Sequence, residues 1–170
     1  MKRTDRKSHC PVNFALEAVG DPWSLLVVRD IVVHGKHGFG EFLASEERIT
    51  TSVLADRLAA LVRTGILTKR RSETDRRKES YSLTEKGRAL IPVLVELANW
   101  GAGYDPDVAA NPCWVSKAQT DRAGLYRIIH DTVMAGGSVF RGENSVISQL
   151  ERAAAPARPA PSTRTPNQQS

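Results

Sequence analysis

The segment from Ile49 to Gly87 constrains the fold more than any other part of the chain. Residues Thr50 to Thr64 have helical periodicity and lead into a short strand, a loop with three consecutive cations, and a second short strand. A new helix start follows at Thr84. A helix with polar residues on its first turn, followed by a basic hairpin, predicts a winged helix-turn-helix.

Helix start and stop signals predict two helices near the beginning of the chain. Pro11 suits the first position of a helix, and we expect Gly20 to end that helix in a left-handed conformation. Asp21-Pro22 starts the second helix, whose run from Trp23 to Val33 is apolar on most sides and should lie in the centre of the core. Gly35 ends it.

The helix-turn-helix and the hairpin come next. Three apolar residues mark a short third helix: Phe39, Phe42 and Leu43. Thr50 is the predicted cap of the fourth helix, and Gly65 closes it. Ile66 to Arg71 and Tyr81 to Leu83 are the predicted strands of the hairpin.

The fifth predicted helix runs from Thr84 to about Trp100, and Pro92 should kink or divide it. Its apolar residues cover more than one face. Such a helix is either buried in its own domain or part of a dimer interface, and the small size of the domain favours the interface.

The remainder of the chain predicts a helical extension. A linker, Gly101 to Pro112, precedes helices over Ser116 to Ala135 and Ser145 to Arg152, and Pro, Ala, Ser and Thr dominate from Ala153. The predicted fold is mainly α with a small β-hairpin (α+β). Its predicted parts are a basic arm (1–9), the winged helix-turn-helix domain (10–104), the linker and helical extension (105–152) and a disordered tail (153–170).

Charge and composition indicate the class of partner and the cellular compartment. The net charge of +5 and the pI near 9.5 favour an anionic partner. The first nine residues are charged and have no apolar run behind them, and no apolar run approaches the length of a membrane span. Two cysteines cannot form a secreted-type disulfide framework. We therefore expect a cytoplasmic protein with no membrane partner.

Seven residues are candidates for DNA contacts. Short polar groups or arginine on the first turns of an accessible helix can contact bases, and long cationic side chains on a protruding loop can contact phosphates. The candidates for base contacts are Thr50, Thr51, Ser52 and Arg57. The candidates for backbone or minor-groove contacts are Arg76, Arg77 and Lys78.

Each of these residues also has a plain structural role open to it. Thr51 and Ser52 can cap the helix start, and Arg57 can pair with Asp56 or Glu47. A charge run is often a solvated face. A winged helix can also serve as a protein-interaction module without sequence-specific DNA binding, since fold does not determine function.

The residues from 10 to 104 also carry a family resemblance. They are Cys10-Pro11, Leu16, Gly20, Trp23, Leu25-Leu26, Arg29, Phe39, Phe42, Leu54, Arg57-Leu58, Leu61, Gly65, Tyr81, Leu83-Thr84, Gly87 and Trp100-Gly101. This pattern resembles the HxlR family of bacterial transcriptional regulators, and Thr74 to Arg77 is also similar to the wing of the MarR family. The resemblance implies a homodimer, joined through its N- and C-terminal helices, that binds palindromic operator DNA, with repression as its mode. The extension beyond Pro106 departs from short family members.

Cys10 is the one candidate for redox or electrophile sensing, as in some HxlR members. A helix N-terminus beside Arg6 and Lys7 favours the thiolate, which is the reactive form. The alternative is a small residue in the dimer seam. We interpret Cys113 as a structural residue in the linker.

The sequence gives weaker evidence for an effector pocket, and it predicts neither a metal site nor an enzyme. Five apolar residues of the extension either line a pocket for a small-molecule effector or belong to the core: Trp114, Leu125, Tyr126, Ile129 and Phe140. His34 and His37 stand without further metal ligands, so we expect no metal site and no cofactor. No phosphate-binding loop, nucleophile elbow or paired carboxylate motif is present, which argues against an enzyme.

Overall fold

Four helices precede a β-hairpin in the computed structural model, which describes residues 8–71, 79–105, 107–108 and 111–155. They are α1 (Pro11–Val19), α2 (Pro22–His34), α3 (Phe39–Leu43) and α4 (Thr51–Arg63). The hairpin consists of β1 (Leu67–Arg71) and β2 (Glu79–Leu83). It is followed by α5 (Glu85–Arg88), α6 (Ile91–Tyr104), α7 (Pro112–Thr120), α8 (Arg122–Met134) and α9 (Val146–Ala154).

The predicted caps of α2 are confirmed. Asp21 Oδ1 accepts hydrogen bonds from the backbone N–H groups of Trp23 and Ser24, both at 3.0 Å. Gly35 ends α2 with a left-handed φ of +61°. The left-handed conformation predicted for Gly20 is wrong, since its φ is −79°. A side chain is excluded there for a different reason: a Cβ would lie 2.4 Å from the carbonyl oxygen of Leu16.

The hairpin is antiparallel, with Leu67 opposite Leu83 and Arg71 opposite Glu79. On the other edge of the hairpin, β2 pairs with the short segment just before α3. The N–H of Tyr81 donates to the carbonyl oxygen of His37 at 2.9 Å, and Gly38 forms a bridge with Ser80. This pairing, which had no signal in the sequence, ties the hairpin to the beginning of α3.

The helix predicted from Thr84 to Trp100 is divided, as Pro92 suggested. Thr84 caps α5 by accepting a hydrogen bond from the N–H of Gly87 at 3.0 Å, and Pro92 lies in the first turn of α6. The close approach of α5 to the residue before β1 requires glycine at position 87, because a Cβ there would lie 2.3 Å from the carbonyl oxygen of Ile66. Helix α6 continues to Tyr104, into the predicted linker.

Two predictions about the extension are wrong. The single helix from Ser116 to Ala135 is two helices, because Asp121 breaks the first and caps the second by accepting from the N–H of Gly124 at 2.8 Å. Cys113 lies in the first turn of α7 and is half-buried, so its predicted position in the linker is wrong. Helix α9 starts after its Ser145 cap and extends to Ala154, past the predicted end at Arg152.

The extension shares one hydrophobic core with the helix-turn-helix domain. Leu125, Ile129 and Val139 are completely buried. The N–H groups of Val139 and Phe140 donate to the carbonyl oxygens of Val32 and Val33, at 3.0 and 3.1 Å, at the end of α2. The extension therefore packs on α2 of its own chain.

Candidate nucleic-acid interface

Helix α3, the turn after it and α4 form the helix-turn-helix. Phe42 of α3 and Leu54 of α4 are 1% and 0% exposed and belong to one core, which holds the two helices together. Ile49, just before α4, is also buried. These contacts leave the first turn of α4 on the surface.

A buried carboxylate connects α2 to the turn. Asp30 is 3% exposed and accepts hydrogen bonds from Arg29 (2.6 Å to Nη2), Lys36 (3.0 Å to Nζ) and the hydroxyl of Ser45. Two cations and a hydroxyl thus compensate the loss of water around this carboxylate. Because Ser45 lies in the turn, the network positions the segment that leads into α4.

Arg29 also binds the turn through Glu47. Its Nη1 lies 2.5 Å from Oε1 of Glu47, and its Nη2 lies 3.1 Å from Oε2, which is a bidentate pair. The hydrogen bonds from Arg29 lower the pKa of Glu47 to about 2. Glu47 is therefore ionised at neutral pH and holds the turn against α2.

The hydroxyls at the beginning of α4 lie at the surface. Thr50 occupies the N-cap position, but the expected side-chain cap is not made; its Oγ1 lies 3.4 Å from Oγ of Ser52. Thr51 and Ser52 are exposed. Side chains at this position can reach the base edges in a major groove.

Arg57 lies one turn further along α4 and is half-buried. Its Nη1 is 3.4 Å from Oδ2 of Asp21, so the alternative partners considered from the sequence, Asp56 and Glu47, are wrong. Burial raises the pKa of Asp21, but hydrogen bonds from Ser24 and Trp23 and the charge of Arg57 outweigh it, and the net pKa is lowered. Arg57 thus links α4 to the first turn of α2, and a DNA contact by Arg57 requires this pair to open.

The hairpin presents basic side chains along β1. Lys69, Arg70 and Arg71 are exposed, and Nζ of Lys69 lies 2.7 Å from Oε2 of Glu79 on β2. The predicted phosphate contacts Arg76, Arg77 and Lys78 lie outside the described residues, as do residues 1–7 of the predicted arm.

Cys10 is exposed and occupies the N-cap position of α1. Its backbone N–H donates to the hydroxyl of Ser8 at 3.1 Å. The thiol is therefore accessible from solvent in the single chain, at the positive end of a helix dipole.

Helices α1 and α6 each carry several large apolar side chains that are exposed. On α6 they lie three or four residues apart, which places them on one face: Val93, Leu97, Trp100 and Tyr104. On α1, Val12 and Leu16 lie four residues apart and are 64% and 60% exposed. We call these six residues the apolar face. Exposed apolar groups in such a row are typical of a surface that another protein covers.

A cavity of about 400 Å³ lies between α2, α6 and the extension. Three of the five residues that the sequence offered for an effector pocket line it, namely Trp114, Ile129 and Phe140. Leu125 lies in the core, and the hydroxyl of Tyr126 donates to Glu96 on α6.

An exposed helix start on a rigid turn, with a basic hairpin beside it, defines a winged helix-turn-helix protein of the DNA-binding type. The HxlR-like helix-turn-helix model matches residues 18–108, more than half of the chain. The chain belongs to this family of transcriptional regulators. Helices α7 to α9 lie outside the matched region.

Individual relatives agree with this assignment. The chain is 34% identical over 95 residues to the HTH-type transcriptional regulator YdeP of Bacillus subtilis, a match covering 56% of this chain and 73% of YdeP. It is 38% identical to the regulator Rv3095 of Mycobacterium tuberculosis, covering 56% of this chain and 59% of Rv3095.

Solved structures show the same winged-helix fold. The oxidised form of the redox regulator HypR is 33% identical and superposes with a TM-score of 0.52, covering 58% of this chain and all of HypR. MarR-type regulators are also among the structural neighbours. Within the described part of the chain, no helix combines the length and the apolar character needed to cross a membrane.

Proposed function

We propose that this protein is a homodimeric repressor that binds palindromic operator DNA. The observation that carries the proposal is the exposed first turn of α4, held on a turn that Arg29 and Asp30 fix to α2. In the proposed complex Thr50, Thr51 and Ser52 contact bases, while the basic hairpin contacts the backbone. The apolar face of α1 and α6 supplies the dimer contact, and two-fold symmetry then sets half-sites about one helical turn apart.

Selection of genomic DNA fragments by the purified protein tests this proposal. We expect recovery of an inverted repeat that binds at least about a thousandfold more tightly than random DNA at the same salt concentration. A salt-sensitive but sequence-independent interaction would contradict it and favour the protein-interaction module instead.

We further propose that Cys10 makes DNA binding sensitive to oxidants. The accessible thiol at the start of α1 supports this, and so does the similarity to HypR, which is named as a redox regulator. Diamide removes two electrons and two protons from two thiols and leaves a disulfide, which in the proposed dimer joins Cys10 to Cys10 of the second copy. We expect diamide to change operator affinity in the wild type but not in Cys10→Ser, while Cys113→Ser responds like the wild type. Equal responses in the wild type and Cys10→Ser would contradict the assignment.

A further inference from the structure

The cavity between α2, α6 and the extension is built almost entirely from apolar side chains. Val32 and Val33 come from α2, Leu94 and Ala102 from α6, Trp114 from α7 and Ile129 from α8. Its volume of about 400 Å³ falls in the range of sites that enclose small organic molecules. Close-packed protein interiors rarely leave such a space empty.

Among the residues that the structure describes, one polar group in the cavity wall has no hydrogen-bond partner. Asn99 of α6 lines the cavity, and its Nδ2 is buried without a hydrogen bond to any described residue. The other amide in the wall, Asn111, is already used: its Oδ1 accepts from the N–H groups of Cys113 and Trp114 at 2.9 and 3.3 Å. The Nδ2 atom is covered by protein in this structure, so a ligand oxygen reaches it once the Asn99 side chain turns toward the cavity, and the hydrogen bond then removes the cost of a buried donor without an acceptor.

We propose that this cavity binds a small, mostly apolar organic molecule of about 10 to 20 non-hydrogen atoms, with one oxygen that accepts a hydrogen bond from Asn99. The apolar walls supply most of the affinity, and Asn99 orients the ligand. Because α7 and α8 form part of the walls, the site requires the extension that lies outside the family match.

The cavity is connected to the helix-turn-helix through Arg29. This residue lines the cavity and also holds Glu47 in the turn before α4. A ligand that displaces Arg29 therefore changes the position of α4 and the affinity for DNA, provided that it binds the two positions unequally. This step rests on the proposed function, whereas ligand binding itself does not.

Binding of the fluorescent probe N-phenyl-1-naphthylamine to the full chain tests the location of the site. Ala102→Phe on α6 and Val115→Phe on α7 each fill part of the cavity, and Ala123→Phe makes the same kind of change on the exposed side of α8. We expect affinity to fall by about tenfold or more in the two filled variants and to stay unchanged in the control. Equal affinity in all four folded proteins would overturn the proposal.

A matched pair of competitors tests the role of Asn99. The compounds 2-acetonaphthone and 2-isopropenylnaphthalene have the same number of heavy atoms and nearly the same shape, but only the first carries a carbonyl oxygen. We expect the wild type to prefer the ketone by about 3- to 10-fold and Asn99→Leu to lose this preference while still binding both. An unchanged preference in Asn99→Leu would contradict the assignment of the hydrogen bond.

Operator titrations with and without the ketone test whether the cavity is connected to the helix-turn-helix through Arg29. We expect the ketone to change the DNA affinity of the wild type, and Glu47→Gln to bind the ketone normally but to lose most of this change. If the bound ketone leaves the DNA affinity of the wild type unchanged, the connection is refuted and the ligand site stands. Failure to find an operator would refute the proposed function while leaving the probe measurements to decide on the cavity.

Discussion

Replacing Glu47 with glutamine removes the charge that Arg29 binds in the turn before α4 but keeps the size of the side chain. In the folded protein the pKa of Glu47 falls from its ordinary 4.5 to about 2. At about 1.36 kcal/mol for each pKa unit, this corresponds to at most about 3.4 kcal/mol of stability. The side chain is 34% exposed, so solvent screening reduces the effect, and we expect a loss of about 1 to 2 kcal/mol.

The lowered pKa of Glu47 determines how its contribution to stability changes with pH. Because the pKa of Glu47 is lower in the folded state, its ionised form stabilises the protein above the unfolded pKa of 4.5. That contribution is lost as the pH falls from about 4.5 towards 2. Urea denaturation of the wild type and Glu47→Gln should therefore show the full difference in unfolding free energy at pH 7 and a smaller one at pH 3.

Glu46→Gln is the matched control, since Glu46 is the exposed neighbour in the same turn. We expect it to change the free energy of unfolding by less than about 0.5 kcal/mol at either pH. The reasoning would be refuted by equal stabilities of the wild type and Glu47→Gln at pH 7, or by a difference that is the same at pH 7 and pH 3.

Four further substitutions test the fold, the dimer and the DNA contacts. Gly87→Ala should lose about 1 to 3 kcal/mol in urea denaturation, because its Cβ would meet the carbonyl oxygen of Ile66, whereas Gly40→Ala, which faces open space, should not destabilise the protein. Trp100→Glu, in the middle of the apolar face, should convert a dimer to a monomer in analytical ultracentrifugation, while Gln119→Glu on the exposed surface of α7 should leave the mass unchanged. Ser52→Ala should reduce the preference for operator over random DNA by roughly tenfold without changing the melting temperature of the protein. An equal loss of affinity for operator and random DNA would show instead that Ser52 contacts the DNA backbone. Arg77→Ala should weaken binding similarly on all sequences and lower the salt slope by about 1, so an altered base preference with an unchanged slope would contradict its role.

The fold could be predicted where its signals are local. Asp21-Pro22, Gly35 and Thr84 mark helix ends because capping depends on groups within a few residues of each other. The order of helix, hairpin and helix identified the winged helix-turn-helix for the same reason. Apolar periodicity in α4 correctly indicated which side faces the core, since the spacing of a helix determines which residues share a face.

Local signals failed where a helix end depended on a single residue inside an apolar pattern. Asp121 divides a periodic stretch into α7 and α8, because its side chain caps the second helix. Gly20 ends α1 without a left-handed turn, since the constraint there is contact with Leu16. A polar residue within a helical pattern is compatible with either outcome until the packing on both sides is known.

Only the tertiary structure decided which charges meet and where the cavity lies. The partners of Arg29 include Glu47, 18 residues away, and Arg57 pairs with Asp21 on another helix. Likewise, Asn99 and Trp114 belong to different helices and line the same cavity. Helix periodicity determines the face on which a residue lies, but the residue across the interface depends on how the helices pack, which involves contacts between distant parts of the chain.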